Sequence, residues 1–371
     1  MIPRKQLIFF YPSIEVGGLT KNLFSLINSL SKKNYKINFI TFRHLENTEG
    51  KKLYAFDKKI NVIMPKFKFK TTSRYPQYFF CFFTLLSSCI KNKYLIISFQ
   101  SNILAIIIAK LTHSKIIVRC NTAPSKYISN FIKKLFFKFF YSLTDAILVT
   151  SIDFKKEIKK YFNLNSIVHR QSLDINGIKN KSKIKINFDF FKKYKHLKII
   201  NVGRLTDQKD LMTLLQAFNK LIKIRKARLI FVGIGSDYQK LMLYIKEKKI
   251  DEHVKIVNFQ SNPYKFISLA NVKVLTSKYE GNPNILLETA CLKKLIISTN
   301  CKVGPSEILQ SGKGGILFKV GDHQRLYSIL KDIKISDQKI REKINTTHNY
   351  VINNFKKDIS KPFIKIIEDY K

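Results

Sequence analysis

The stretch Leu197–Ile224, LKIINVGRLTDQKDLMTLLQAFNKLIKI, decides the fold. Leu197–Val202 is a short apolar run of strand length. A polar loop with Gly203, Arg204, Asp207 and Lys209 follows. From Leu211 onward, apolar residues recur at 211, 214, 215, 218, 221 and 222, the period of an amphipathic helix. Strand, glycine loop and helix make one βα unit, and the same unit recurs on both sides. Downstream, strands are predicted at Arg228–Val232, Val254–Phe259, Val272–Leu275 and Lys294–Ser298, with helices at Gln239–Lys248 and Asn284–Cys291. Upstream, Gln6–Tyr11, Lys36–Thr41, Tyr94–Ser98, Lys115–Arg119 and Ala146–Thr150 read as strands, with a helix near Lys21–Leu30 after the first. Alternating β and α units predict an α/β fold with parallel sheets covered by helices on both faces.

The polar, Lys- and Asn-rich stretch near Asp174–His196 interrupts this pattern. It divides the chain into a first Rossmann-like domain over 1–175, a linker over 176–196, a second Rossmann-like domain over 197–345 and a helical tail over 346–371 expected to return to the first domain. A length of 371 residues suits about two domains of ~100–200 residues each. Hydrophobic residues make up 45% of the chain, enough for sizeable cores. Cys81, Cys89, Cys120, Cys291 and Cys301 include no C-x-x-C pair, which fits structural thiols in a reducing compartment. Residues Met1–Tyr11 lack the apolar length of a signal peptide. Tyr78–Ile90 and Leu95–Ala109 fall short of the ~18 uninterrupted apolar residues of a spanning helix and read as buried core elements.

Net charge is +43, from 68 Lys and Arg against 25 Asp and Glu. This favours anionic partners, although a general drift toward Lys, Ile, Asn and Phe produces the same excess. The lysines spread along the chain, which weighs against a nucleic-acid-binding patch.

Four loops carry candidate chemistry. Ser277–Glu288, SKYEGNPNILLE, follows a predicted strand and opens a helix. Gly281, Asn282 and Pro283 shape a tight loop, Asn284 is placed to cap the helix, and Ile285 lies in its first turn. A helix start offers free N–H groups and a positive dipole end to phosphate. Glu280 before that start and Glu288 one turn beyond it can each grip hydroxyls. The plain alternative is two surface acids. Gly203–Lys209 places Arg204 and Lys209 at the end of a strand, where two cations can neutralise charge on a departing diphosphate. Gly233-Ile234-Gly235 lacks the third glycine of a dinucleotide fingerprint and suits a tight turn near a base. Gly17 and Gly18, after the first strand, admit phosphate to the backbone or simply turn the chain.

Together these loops resemble family 4 of the retaining glycosyltransferases, which have the GT-B fold. The E-x7-E motif matches Glu280 and Glu288. The G-R-L-x-x-x-K motif matches Gly203, Arg204, Leu205 and Lys209, and the first-loop G-G matches Gly17 and Gly18. Gly304-Pro305-Ser306-Glu307-Ile308-Leu309 resembles a further family segment. The match is dense from about Ile199 to Asp322 and thin before it. The resemblance implies two facing Rossmann-like domains with a cleft between them, and a nucleotide-sugar donor held by the second. It implies Arg204 and Lys209 on the donor diphosphate, Glu288 on the ribose, Glu280 toward the sugar, retention of anomeric configuration, and no essential metal or other cofactor. Many members carry a His after a central strand of the first domain; Val118–Thr122 here has none, and Arg119 and Asn121 stand as candidates for the acceptor. The family's acceptors are often lipid-linked saccharides of cell-surface glycans. That implies a cytoplasmic enzyme, peripheral on an anionic membrane surface, with no nucleic acid among its partners. Lys66–Lys70 and Lys126–Leu143, cationic and aromatic, are candidate contacts for it, although a core-facing helix with a solvated basic face suits the second somewhat better. A basic nucleic-acid-binding protein and a non-transferase sugar-nucleotide enzyme of similar fold remain the alternatives.

Overall fold

A computed structural model describes residues 5–14, 18–33, 35–42, 56–65, 73–192, 194–355 and 360–370. Gly17 and Lys66–Lys70 lie outside the described residues. The chain forms two compact units, Met1–Ser172 with Asp358–Lys371, and Leu173–Lys357.

The first unit is built on strands β1 (Lys5–Phe10), β2 (Tyr35–Ile40), β3 (Ile60–Ile63), β4 (Leu95–Ser98), β5 (Lys115–Arg119), β6 (Ala146–Val149) and β7 (Ile167–Val168), in the order β3-β2-β1-β4-β5-β6-β7. All neighbours are parallel, with Phe9 of β1 opposite Phe39 of β2 and Ile97 of β4. A central parallel strand is covered on both faces, so Leu7–Phe10 reads as a continuous apolar run and is buried throughout. The helix Gly18–Ser31 packs Leu23, Phe24, Leu26, Ile27 and Leu30 on one face. Phe363, Ile366 and Ile367 of the last helix, Ser360–Asp369, join the same core, with the rings of Phe9 and Phe363 6.3 Å apart. Right-handed crossovers in the opposite direction put Arg74–Lys91, Asn102–Leu111, Phe131–Ser142 and Ile152–Phe162 on the other face.

The second unit repeats the plan with β8 (Leu197–Val202), β9 (Ala227–Val232), β10 (Val254–Val257), β11 (Val272–Leu275), β12 (Leu295–Thr299) and β13 (Ile316–Phe318), all parallel, in the order β10-β9-β8-β11-β12-β13. The helix Leu211–Leu221 buries Leu211, Leu214, Leu215, Phe218 and Leu221 against one face, as its period requires. The helices Tyr264–Leu269, Asn284–Cys291 and Gln338–Phe355 contribute to the core on the other.

Two readings are corrected. Residues 176–196 are not a linker: Ile175–Ser182 and Asp189–Lys192 are helical, and Ile178, Phe190 and Phe191 are buried in the second unit's core. Most of the few apolar residues of this polar segment turn inward, with Ile184 left exposed. Tyr78–Ile90 is only half a core element. Its helix buries Gln77, Cys81, Leu85 and Cys89, while Tyr75, Phe79, Phe83 and Ile90 are exposed. The five cysteines are buried thiols, and burial pushes Cys81, Cys120 and Cys301 up to about 12. No helix among the described residues is long and apolar enough to cross a membrane.

Candidate functional site

In an open α/β sheet the strand order reverses where neighbouring crossovers leave in opposite directions, and ligands bind at the carboxyl ends there. In the second unit that point lies between β8 and β11, which pair side by side. Asn201, at the end of β8, donates Nδ2–H to the Val274 carbonyl of β11 at 2.9 Å and ties the two strands at this edge. Gly203–Lys209 leaves β8 and Ser277–Glu288 follows β11, so the two most informative loops emerge next to each other.

Hydrogen bonds knit them together. Gln208 donates Nε2–H to the Tyr279 carbonyl at 3.0 Å, and Lys278 donates its backbone N–H to the Gln208 carbonyl at 2.9 Å. Thr276 Oγ1 donates to the Lys209 carbonyl at 2.7 Å. Arg204 donates Nη2–H to Gln208 Oε1 at 3.1 Å, so its guanidinium is steered by the same glutamine. Lys209 and Glu280 meet directly: Nζ lies 2.5 Å from Oε1, with the side chains 14% and 8% exposed. Asp210 takes φ 44°, which ends the 3₁₀ turn Asp207–Lys209 and starts the following helix. Among the described residues, Ser277 Oγ and Thr206 Oγ1 are buried on these loops without a hydrogen-bond partner.

Glu288 sits in the helix Asn284–Cys291 and is 8% exposed. Tyr264, from the helix Tyr264–Leu269, donates its hydroxyl to Glu288 Oε1 at 2.7 Å. Burial, then the Glu288 charge, raise the Tyr264 pKa, so the phenol stays a donor. Asn284 does not cap this helix: Pro283 holds the N-cap position, and Asn284 is the first helical residue, with Ile285 next. Proline at that position cannot supply a side-chain acceptor; its carbonyl accepts from the Leu286 N–H at 2.9 Å instead.

The glycines separate into two kinds. A Cβ on Gly233 would collide with the Gly203 carbonyl oxygen, and Gly304, at φ +98°, would bring one to 2.7 Å from Pro283 Cδ. Packing within the protein demands glycine at both, and the second pins the Gly304–Leu309 segment to the Gly281–Pro283 loop. A Cβ on Gly203 would meet only the Lys209 stem, at an ordinary 3.6 Å. Among the described residues, no steric contact requires glycine at 203.

Lys273 was not singled out in the sequence. It lies in β11, fully buried, and donates Nζ–H to the Val274 carbonyl at 2.9 Å. Burial, then the Lys209 charge, hold its pKa well below the ordinary lysine value, with Glu280 opposing. A lysine depressed in this way costs stability fully below its folded pKa, and the cost disappears as pH rises past the unfolded value near 10.5. Lys273→Met is therefore expected to raise Tm near neutral pH, with the gain shrinking toward alkaline pH. Calorimetry of both proteins across that range checks it; curves that stay parallel would rule out the titration as the source.

The remaining candidates lie in the first unit. Gly18 is the first residue of its helix. Arg119, at the end of β5, is 3% exposed; its Nη1 lies 3.2 Å from His169 Nδ1, and its guanidinium lies over the Phe99 ring. Burial lowers its pKa to about 10. Asn121 donates Nδ2–H to the Phe99 carbonyl at 2.7 Å. His169, which follows β7, supplies an imidazole that the local reading of 118–122 did not anticipate, because it arrives from two strands away.

Residues 182–349 match the family described as "Glycosyl transferases group 1". The chain is 33% identical over 193 residues to an uncharacterized glycosyltransferase of Methanocaldococcus jannaschii, covering 47% of this chain and 44% of that one. It is 27% identical over 235 residues to the N-acetylgalactosamine-N,N'-diacetylbacillosaminyl-diphospho-undecaprenol 4-alpha-N-acetylgalactosaminyltransferase of Campylobacter jejuni, covering 61% and 62%. The amylovoran biosynthesis glycosyltransferase AmsD of Erwinia amylovora is 25% identical over 317 residues, covering 82% and 84%. The match thus spans about half to three fifths of the first two relatives. Among solved structures, Anabaena Alr3699/HepE in complex with UDP and glucose superposes with a TM-score of 0.75 over 98% of this chain and 100% of that one, at 14% identity. This likeness extends the fold to the whole chain and, at that identity, says nothing further.

Proposed function

From the match of residues 182–349 to the group 1 glycosyl transferases, we propose that the chain belongs to that family and transfers a sugar from a nucleotide-sugar donor to a lipid-linked saccharide acceptor in cell-surface glycan synthesis. The observation that carries the donor reading is the junction of β8 and β11, where Arg204, Lys209 and Glu280 share one hydrogen-bonded pair of loops. Two cations at a strand edge suit the two phosphates of a leaving nucleoside diphosphate. Gly203 keeps the backbone beside them open, with the Lys209 stem as its neighbour there. The start of the helix Asn284–Cys291, shaped by Gly281, Asn282 and Pro283, adds the positive end of a helix dipole beside the same loops.

In this reading the Lys209–Glu280 pair holds the ammonium in place before the donor arrives. Arg204 and Lys209 then stabilise the charge that builds on the diphosphate as the glycosidic bond breaks. Glu280 faces the sugar, where its charge favours an oxocarbenium-like state. Glu288, oriented by Tyr264, accepts from the ribose hydroxyls. The acceptor oxygen enters from the face the leaving group departs, which retains the anomeric configuration. Leaving-group charge is met by side chains, so no metal is required. Gly17, Gly18, Arg119 and Asn121 belong to the first unit and are assigned to the acceptor side or the far end of the donor. The diphospho-undecaprenol in the name of the Campylobacter jejuni relative supports a lipid-linked acceptor.

Thermal-shift measurements with UDP-, GDP-, ADP- and dTDP-sugars test the donor class. A cognate nucleotide at 100-fold its Kd adds about 2.7 kcal/mol of stability, and one base is expected to dominate. Equal, small shifts with all four would remove the donor reading. NMR of the product's anomeric centre, with and without a chelator, tests retention and metal independence.

A further inference from the structure

The acids of this chain are distributed less evenly than its lysines. From Lys58 to Thr144 there are 15 Lys or Arg and no Asp or Glu. This acid-free segment includes three long helices of the first unit, Arg74–Lys91, Asn102–Leu111 and Phe131–Ser142, and Asn102–Leu111 touches both others. The outer helices keep large apolar residues in water. Phe131 is 69% exposed and Ile132 76%, with Leu135, Phe136 and Phe139 also exposed, and only Tyr141 of that helix is buried. On Arg74–Lys91, Phe79 and Phe83 are exposed as well, their rings 5.0 Å apart. Lys91, Lys110, Lys133 and Lys138 are exposed among them.

We infer that this helical face docks on the surface of a bilayer containing anionic lipid. A core-facing role for Phe131–Ser142 is excluded by its exposure. A contiguous apolar surface in water is costly and marks an interaction site. Its occupant must accept bulky apolar groups and many cations with no anion in return. An anionic bilayer does both: phenylalanines enter the acyl boundary while lysines stay at the headgroups. A second copy of the chain would bring lysines against lysines. A nucleic acid would satisfy the cations and leave most of the phenylalanines in water. The inference does not rest on the transferase reading, because vesicle binding requires no donor.

Flotation of the full chain with phosphatidylcholine vesicles, with and without phosphatidylglycerol, tests it. Binding is expected only with phosphatidylglycerol, and weaker in salt. Ile132→Asp with Phe136→Asp is expected to reduce binding by about tenfold or more, as is Lys133→Gln with Lys138→Gln. Tm and the nucleotide-induced shift should stay as in the wild type, which separates this surface from the donor site. If the first pair lowers Tm, Phe79→Ser with Phe83→Ser gives the same reading from the neighbouring helix. The inference is overturned if the wild type does not bind, or if both pairs bind as it does. It is also overturned if the apolar pair abolishes a dimer, or the lysine pair RNA binding, in place of vesicle binding.

Discussion

Lys209→Met will lower kcat/KM by about 10²- to 10³-fold, the usual loss when one preorganised group at a developing negative charge is removed. It will also cost stability. Glu280 is 8% exposed and its Nζ partner lies 2.5 Å away, so removing the lysine leaves a buried carboxylate without its counter-charge, at about 3–5 kcal/mol. The two effects are separable. In Lys209→Met with Glu280→Gln, both charges are gone and much of the stability returns, because an uncharged buried pair carries little desolvation cost. Turnover does not return, because the leaving diphosphate has lost its cation. Calorimetry and steady-state kinetics on the two single variants and the double variant form the cycle. A double variant that regains both stability and activity would make the pair a structural strut.

Glu288→Ala will weaken nucleoside-diphosphate binding by about 10- to 100-fold, the range of one or two hydrogen bonds to a buried charge. The effect depends on ribose. A donor analogue lacking ribose hydroxyls should bind the wild type about as weakly as the intact donor binds Glu288→Ala, and the variant should lose little more with the analogue. Tyr264→Phe should fall between, at about fivefold, since it leaves the carboxylate charged but frees Oε1 to turn. Titration calorimetry with both ligands decides it. Equal losses for the two ligands in Glu288→Ala would take this residue off the ribose and leave it as a core acid paired with Tyr264.

Much of this was legible along the chain. The central strands β1 and β8 are largely apolar runs with glycine loops behind them, and periodicity places the helix that follows β8. Of the edge strands, β10 was predicted and β3, β7 and β13 were not. The two and three residues of β7 and β13 carry no periodicity of their own and become strands only because a neighbour offers them hydrogen bonds. Residues 176–196 look like a linker because their composition is polar, and only the opposing core shows that Ile178, Phe190 and Phe191 suffice to fold them.

What the sequence determined alone was chemistry with short-range spacing: two doubly wound units, the cationic G-R-L-x-x-x-K loop, and acids eight residues apart on a loop and the helix it opens. Tertiary structure decided which of these groups meet. Lys209 and Glu280 are 71 positions apart, and Tyr264 and Glu288 are 24 apart. Parallel strand pairing brings such positions together only after a long crossover, so no local pattern records it. The same holds for Lys273, whose burial follows from the neighbours of β11, and for Phe131–Ser142, whose amphipathic pattern is the same whether its apolar side meets a core or water. Periodicity reports that a helix has two faces; only the packing of everything else decides which face is covered.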